Sequence, residues 1–338
     1  MKVISLFSGC GGLDLGFIKA GFEVIWANDF DKEAVESYKF NIGEHIVHDS
    51  IYNIETDTIP DADILIGGFP CLGFTVAKGK SRTLDCDHNQ LFQEYARVLN
   101  AKEPKYFLVE NVTGIKSGKE FNDFFHNTIL KEFENAGRGY RVKYETLISS
   151  DYGVPQNRKR VIILGVRSDL DDEITFPAFK IEERLTLRDA IFDLPLEHDP
   201  SIPNHIGTKH KVKINGYVGN RQLDWDKPSP TITGRGSRTG GAVIHPHPNR
   251  HRRLTVRECA RIQSFPDDFI FFGSNGACFA QIGNAVPPIM SFFIANEFRV
   301  LFGKERLSFR DTVWKLPYKS KIDGYLRDDI EVGLVYLR

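Results

Sequence analysis

The chain has no cysteine pair at metal-ligand or redox spacing. Its five cysteines, Cys10, Cys71, Cys86, Cys259 and Cys278, are odd in number and widely scattered. That pattern suggests neither a zinc site nor a secreted disulfide framework, and it points to a reducing compartment. A basic leader with a cleavage site is missing too, because the sequence runs straight into the apolar segment Val3 to Phe7. No apolar run approaches membrane-spanning length, so a cytoplasmic protein without a membrane partner is expected. Nor is there an excess of positive charge: the formal net charge is −1. What remains is ample material for a core. With 338 residues, 41% hydrophobic and 26% charged, the chain needs no disulfide or structural metal, and no metal site is expected.

The near-zero charge conceals a strong asymmetry. Between Asn204 and Arg261 there are twelve Lys and Arg against Asp224, Asp226 and Glu258, so this stretch nets +9 and the rest −10. Such a division suggests one face for a polyanion and another body for a different task.

Short apolar runs alternate with amphipathic ones through the first 167 residues. Val3–Phe7, Glu23–Ala27, Asp63–Gly67, Tyr106–Glu110, Arg141–Ile148 and Val161–Val166 read as strands. Leu13–Ala20, Lys32–Phe40, Leu91–Leu99 and Phe121–Asn135 read as helices, the third opened by an Asp87/Gln90 capping pair. This alternation predicts an α/β fold with a mostly parallel sheet covered on both faces, and ligands beyond the carboxyl ends of the strands. From about Asp171 the pattern breaks. A short helix over Thr186–Leu194, capped by Thr186 and Asp189, precedes a long irregular stretch rich in Pro, Gly, His and Lys. Order returns with the capping box Thr255-Val-Arg-Glu258, a helix through Gln263 and another from Ala285 to about Phe302. After Gly303 the tail holds Trp314 and a candidate strand, Val332–Leu337, with no function legible in it. There is no internal repeat.

The chemistry-bearing residues follow the strands. The first strand leads into Phe7-Ser-Gly9-Cys-Gly11-Gly12 and then a helix, a turn in which backbone amides can approach a ligand, or simply a tight turn. Its G-x-G-G spacing departs from the dinucleotide G-x-G-x-x-G and weakens a nicotinamide reading. After the second strand, Asp29 suits a ribose diol and Phe30 suits adenine, although Asp29 read alone is equally a helix cap. Asp49 stands where it can reach the adenine amino group. The segment Gly67-Gly-Phe-Pro70-Cys71 puts a cysteine at a strand end, before a Gly/Lys/Ser-rich stretch. A lone cysteine is usually a small buried hydrophobe, yet this placement suits a nucleophile under a closing loop. Val109-Glu110-Asn111-Val112 ends the next strand with a carboxyl group, either a proton donor or a mere strand-end charge. The basic run Pro155-Gln-Asn-Arg158-Lys-Arg160 is either a solvated face or a grip on a base or phosphate.

The order F-S-G-x-G-G, P-C, E-N-V, Q-N-R-K-R, R-L-T-V-R-E-C-A-R-I-Q-S-F-P and G-N-A-V closely resembles the cytosine-5 DNA methyltransferase family, over Val3–Arg167 and Arg253 to about Phe302. The resemblance implies a Rossmann-like methyltransferase domain formed by 1–180 and 265–338, with a smaller irregular target-recognition domain at 181–264. It implies S-adenosyl-L-methionine as cofactor, held by Phe7, Ser8, Gly9, Gly11, Gly12, Leu13, Asp29, Phe30, Asp49, Ser50, Pro70, Asn284 and Ala285. Cys71 matches the nucleophile and Glu110 the activating acid, while Arg158 and Arg160 match arginines that order the site and contact a flipped base. Thr231, Arg235, Arg238, Arg252 and Arg253 are the expected contacts to double-stranded DNA. The expected enzyme is a monomer accompanying a restriction endonuclease without a stable complex. Where the family often has Gln after the nucleophile this chain has Leu72, and Phe74-Thr75 replaces its F-S. Both changes leave catalysis intact in this reading. A tRNA cytosine-5 methyltransferase is disfavoured by the long recognition region. A non-catalytic DNA-binding homologue is disfavoured by the intact Cys71, Glu110 and Arg160.

Overall fold

The computed structural model describes residues 1–70, 91–178, 180–208, 211–216, 219–234 and 244–325. Within these, strands β1 (Lys2–Leu6), β2 (Glu23–Asp29), β3 (Ile46–His48), β4 (Ile64–Gly67) and β5 (Tyr106–Val112) run parallel. Strand β6 (Tyr140–Ile148) follows β5 in the chain. A two-residue strand β7 (Gln156–Asn157) and then β8 (Lys159–Arg167) come next, with β8 antiparallel to both β5 and β6. The sheet order is β3-β2-β1-β4-β5-β8-β6, so the chain changes direction across the sheet at β1. The crevice beyond the ends of β1 and β4 is the switch point where open α/β sheets bind ligands. The mostly parallel sheet expected from the alternating pattern is present.

Burial explains the strand sequences. Every residue of β4 is buried and β5 is buried through Asn111, as central strands covered on both faces require. Edge strand β6 instead leaves Arg141, Glu145 and Thr146 exposed. Side chains alternate between two layers. Ile64, Ile66 and Leu108 join a cluster with Phe17 and Phe292, whereas Leu65, Phe107 and Val109 join Leu99 and Phe133.

The first layer is built from α1 (Gly12–Lys19) and α9 (Pro288–Leu301), and the second from α3 (Leu91–Lys102) with α4 (Lys119–Phe124) and α5 (Leu130–Glu134). A π-helical turn, Phe125–Ile129, joins α4 to α5. Helix α2 (Lys32–Asn41) flanks the β2–β3 edge. Helices α1 and α9 touch closely because Gly16 has no side chain: a Cβ there would lie 2.3 Å from that of Ser291.

The capping boxes foreseen at Thr186 and Thr255 open α6 (Leu187–Ile191) and α7 (Val256–Ile262). Several short elements went unforeseen, among them α8 (Asn275–Asn284) and β9 (Ser229–Pro230), which pairs in parallel with β7. The final core helix begins at Pro288 rather than Ala285, since Pro287 caps it and a proline suits the first helical position. Contrary to expectation, the stretch Asn275–Leu301 is long and apolar enough to cross a membrane. However, 78% of its most apolar window is buried inside the protein. The expected capping pair Asp87/Gln90 and strand Val332–Leu337 lie outside the described residues.

Segment 181–264 does not own a separate core among the described residues. Leu187, Leu223, Ile232, Leu254 and Ile262 share one cluster with Phe17 and Phe292. The tail joins it as well: Phe309, Trp314, Leu316 and Tyr318 are buried there. Tyr318 donates its hydroxyl to Arg261 O at 2.6 Å. Lys321, in α10 (Lys319–Tyr325), pairs with Asp189 at 2.8 Å.

Candidate active site and cofactor turn

Beyond β1 the backbone turns sharply. Phe7, Gly9 and Gly11 all have positive φ, at 55°, 55° and 89°. For Phe7 that conformation is uncommon and marks a constrained position. Gly11 and Gly12 are needed for close approach: a Cβ on Gly11 would meet Tyr38 and Ile42, and one on Gly12 would lie 2.5 Å from Val286 O and 3.0 Å from Ala285 Cβ. Thus the Gly283-Asn284-Ala285-Val286 segment packs on the turn through Ala285 and Val286. Leu13, buried in α1, accepts a hydrogen bond at its carbonyl from Ser291 Oγ at 2.5 Å.

Asp29 ends β2 and lies almost wholly buried. Its Oδ2 accepts from Gly9 N–H at 2.8 Å and its Oδ1 from Asp31 N–H at 2.9 Å. Burial, opposed by these amides, pushes its carboxyl up to about 6. It is not the helix cap, since Asp31 caps α2 by accepting from Ala34 N–H. Phe30 is 60% exposed at the mouth of the crevice, an unusual position for a large aromatic ring. Asp49 Oδ1 accepts from Ser50 N–H and from Asn53, while Asn28 donates to Asp49 O at 2.8 Å. Ser8 turns its hydroxyl inward, onto Ser5 Oγ at 3.0 Å.

Next to this turn, Glu110 and Arg160 form a buried ion pair, Oε1 to Nε, at 2.6 Å. Cross-strand register aligns Glu110 with Ile162 and Val112 with Arg160. The described backbone leading towards position 71 abuts this pair. A Cβ on Gly68 would fall 2.9 Å from Glu110 Oε2, and Asn111 Nδ2 donates to Phe69 O at 3.3 Å. Pro70 is half-buried beside them. Cys71, Leu72, Thr75, Arg235 and Arg238 lie outside the described residues.

Arg158 is 1% exposed and donates to Ile232 O at 2.8 Å and Gly283 O at 2.9 Å. Burial and then Arg160 pull its pKa down. Gln156, a residue not singled out from the sequence, accepts from Ile232 N–H at 2.9 Å and donates to Gln263. Gln263 in turn donates to Ala285 O at 2.7 Å. Thr231 donates to Asn157 O at 3.0 Å. Hence Thr231 and Ile232, inside the expected recognition domain, are fastened to the stretch from Gln156 to Arg158 that leads into β8. Asn284 is exposed, with Gly234 so near that a Cβ there would overlap its Oδ1.

Arg252 and Arg253, expected on DNA, are engaged with the protein. Arg252 chelates the buried Glu258 through two bonds of 2.7 and 2.8 Å and donates to Leu196 O. Arg253 is 5% exposed and donates to Gly219 O, Ile244 O, Lys211 O and Asn220 Oδ1. Arg257 is buried on the carbonyls of Pro203, Pro266 and Phe269. Buried, and with their guanidinium groups turned onto the protein's own carbonyls, Arg253 and Arg257 are not placed to clamp phosphates. Part of the +9 window is structural charge.

A switch-point crevice with a glycine turn, a buried acid and an exposed aromatic defines an α/β methyltransferase architecture. The C-5 cytosine-specific DNA methylase profile matches residues 1–299, and the chain belongs to that family: it is a DNA cytosine-5 methyltransferase. It is similar to the Type II methyltransferase M.NgoPII of Neisseria gonorrhoeae, 38% identical over 87% of this chain and 94% of that protein. It is similar also to M.MthTI of Methanothermobacter thermautotrophicus, 38% identical over 88% and 97%. Among solved structures, a DNA modification methyltransferase encoded within an E. coli prophage superposes with a TM-score of 0.73 at 26% identity, covering 90% of this chain and all of that one. The S. pombe Dnmt2 methyltransferase shares the fold, with a TM-score of 0.62 at 20% identity over 89% of this chain and 99% of that one.

Arg253→Ala is expected to strand several carbonyls and lower stability by about 2–4 kcal/mol in denaturant unfolding. The salt dependence of DNA binding should stay as in the wild type. A slope reduced by roughly 0.9, the loss of one phosphate contact, with stability unchanged would instead place Arg253 on DNA.

Proposed function

We propose that this enzyme methylates carbon 5 of one cytosine within a specific word of double-stranded DNA, using S-adenosyl-L-methionine, with Cys71 as nucleophile and Glu110 as acid. The observation that carries the reading is the buried Glu110–Arg160 pair at the sheet's ligand edge, against Gly68, three residues ahead of Cys71. In this reading Arg160 fixes the direction of the carboxyl group, and Arg158 fixes the backbone on which Arg160 stands.

The residues present fit the cofactor. Phe30 offers an exposed face for adenine and Asp29 a buried acceptor for the ribose diol. Gly9 has nothing within 4 Å of where its Cβ would be, which leaves room beside the turn. Phe7, Gly11, Gly12, Asp49, Ser50, Pro70, Asn284 and Ala285 would complete the enclosure. When bound, S-adenosylmethionine supplies the electrophilic methyl group.

Cytosine carbon 5 is too weak a nucleophile to take that methyl unaided. The Cys71 thiolate adds to carbon 6 while protonated Glu110 donates to nitrogen 3, which makes carbon 5 enamine-like and nucleophilic. Once carbon 5 carries the methyl, a solvent base takes its proton, the carbon 5–carbon 6 double bond re-forms as the thiolate leaves, and nitrogen 3 returns its proton to Glu110. The target base must first leave the duplex stack, as for any enzyme working on a base. Arg235 and Arg238, in the segment after Thr231, are the proposed readers or phosphate contacts. The Type II methyltransferases among its relatives support a place in a restriction-modification system. In this reading the enzyme works as a cytoplasmic monomer without a stable endonuclease complex.

Duplex DNA with 5-fluorocytosine at the target should trap the wild type covalently, since fluorine cannot leave as a proton does. Cys71→Ser should form no adduct, and an adduct with that variant would overturn the nucleophile assignment. Glu110→Gln should bind DNA nearly as well but lose about 10²–10⁴-fold in single-turnover methylation. Near-wild-type transfer would make Glu110 a structural carboxylate.

Cofactor binding should also depend on pH. Ionised Asp29 accepts at both oxygens, whereas its protonated form commits one to an O–H, so cofactor affinity should be highest well above about 6 and weaken as the pH falls through that value. Buried Asp14 is pushed into the same range. Calorimetric titration of Asp29→Asn separates the two: a flattened profile supports Asp29, and an unaltered one assigns the dependence to Asp14.

A further inference from the structure

Asp14 lies in the first turn of α1, fully buried within the otherwise apolar run Leu13-Asp-Leu-Gly-Phe17. A carboxylate in such surroundings is expensive unless its oxygens are satisfied. Here each oxygen takes one hydroxyl: Oδ1 accepts from Ser5 Oγ at 2.7 Å and Oδ2 from Tyr38 Oη at 2.8 Å. Both donors are themselves fully buried.

The bonding has a direction. An ionised carboxylate only accepts, so the Ser5 and Tyr38 protons are both committed to Asp14. Ser5 Oγ is then left to accept, and it receives the Ser8 hydroxyl at 3.0 Å. Tyr38 Oη is likewise left to accept, and His45 Nε2 lies 3.0 Å away on the half-buried side. One chain therefore runs from His45 through Tyr38, Asp14 and Ser5 to Ser8. One half ends on the glycine turn at Ser8 by hydrogen bond; in the other, the Tyr38 ring packs against Gly11, where it and Ile42 together block any Cβ. Asp29 holds the same turn from the opposite side at Gly9.

We propose that Asp14 is a positioning residue for the cofactor turn, fixing Ser8 through Ser5 and Gly11 through Tyr38. It touches no substrate. It sets the backbone amides of residues 8–12 before the ligand arrives, which lowers the ordering cost of binding. The inference rests on the cofactor reading above. Asparagine keeps only one acceptor, and its NH₂ group donates where the second hydroxyl donated. That hydroxyl must then reverse, towards His45 or Ser8, and that half of the chain loses its native direction.

The test uses the full-length protein and S-adenosyl-L-methionine. Asp14→Asn and Tyr38→Phe should each raise the calorimetric Kd about tenfold or more, the scale of one hydrogen bond to a charged group. The loss should fall on KM for the cofactor and not on kcat. In the cofactor-free protein, amide hydrogen exchange should accelerate at residues 8–12 while β4 and β5 keep wild-type protection. Tyr38→Phe retains the ring and carries the test if Asp14→Asn does not fold. Wild-type Kd and exchange in folded variants would overturn the proposal, as would exchange that rises evenly across the sheet. A wild type that binds no S-adenosylmethionine would defeat the cofactor reading instead, and the exchange comparison would still decide the role of Asp14.

Discussion

A single guanidinium, that of Arg158, joins three chain segments that are remote in sequence. It bonds Ile232 O at the base of the recognition segment and Gly283 O in the last turn of α8, and it lies two residues ahead of Arg160. No carboxylate is hydrogen-bonded to it among the described residues. Its charge is met by carbonyl dipoles, including the negative end of α8. A buried cation held this way is costly to leave half-satisfied, so neither segment can move off it cheaply. Gln156 and Gln263 extend the junction to Ala285, and Ala285 packs on Gly12 of the cofactor turn. The segment at Ile232, the start of β8 and the glycine turn therefore meet in one polar knot inside the core.

Three buried carboxylates surround the crevice, and each is satisfied differently. Glu110 has an arginine, Asp29 has backbone amides and Asp14 has hydroxyls. The difference matches the tasks proposed for them. An acid that must act on a base needs a partner that aims it without removing it, and Arg160 does so from the neighbouring strand. An acid that must accept from a ligand can use amides, which leave lone pairs free. An acid that only holds backbone can be closed off entirely. Burial pushes both Asp29 and Asp14 up to about 6, so the amides and hydroxyls do not fully offset desolvation.

Local signals were legible in the sequence. The strand–helix alternation, both capping boxes and the glycine turn depend on neighbours a few residues away, and they were read at nearly their observed bounds. Non-local bonding was not. The β7–β9 pairing is two residues long, and α8 contains Gly276 and Gly283, too weak a pattern for periodicity to reveal. Arg253 looked like a DNA contact because its carbonyl partners are 9 to 42 residues away. Asp14 did leave a trace: an acid on a helix that is apolar on every other nearby position is a sign of buried polar bonding. The tail beyond Gly303 carried aromatics with no periodic pattern, and only packing reveals it as a strap across α7 and α9.

The allocation of arginines has a consequence for how specificity can vary. Arg253 and Arg257 are consumed in holding irregular backbone, and Arg158 and Gln156 fix the strand that enters the recognition segment. On the far side, Pro246 bridges to Arg253, and His247 N–H bonds Arg252 O at 2.8 Å. Both ends of the stretch carrying Arg235 and Arg238 are thus anchored by backbone bonds and structural charge. Under the proposed function, substitutions between the anchors would change which bases are read without disturbing the Glu110–Arg160 pair, and substitutions at the anchors would weaken recognition and catalysis together. Binding energy spent at the base of this segment secures geometry, and discrimination is left to side chains beyond it.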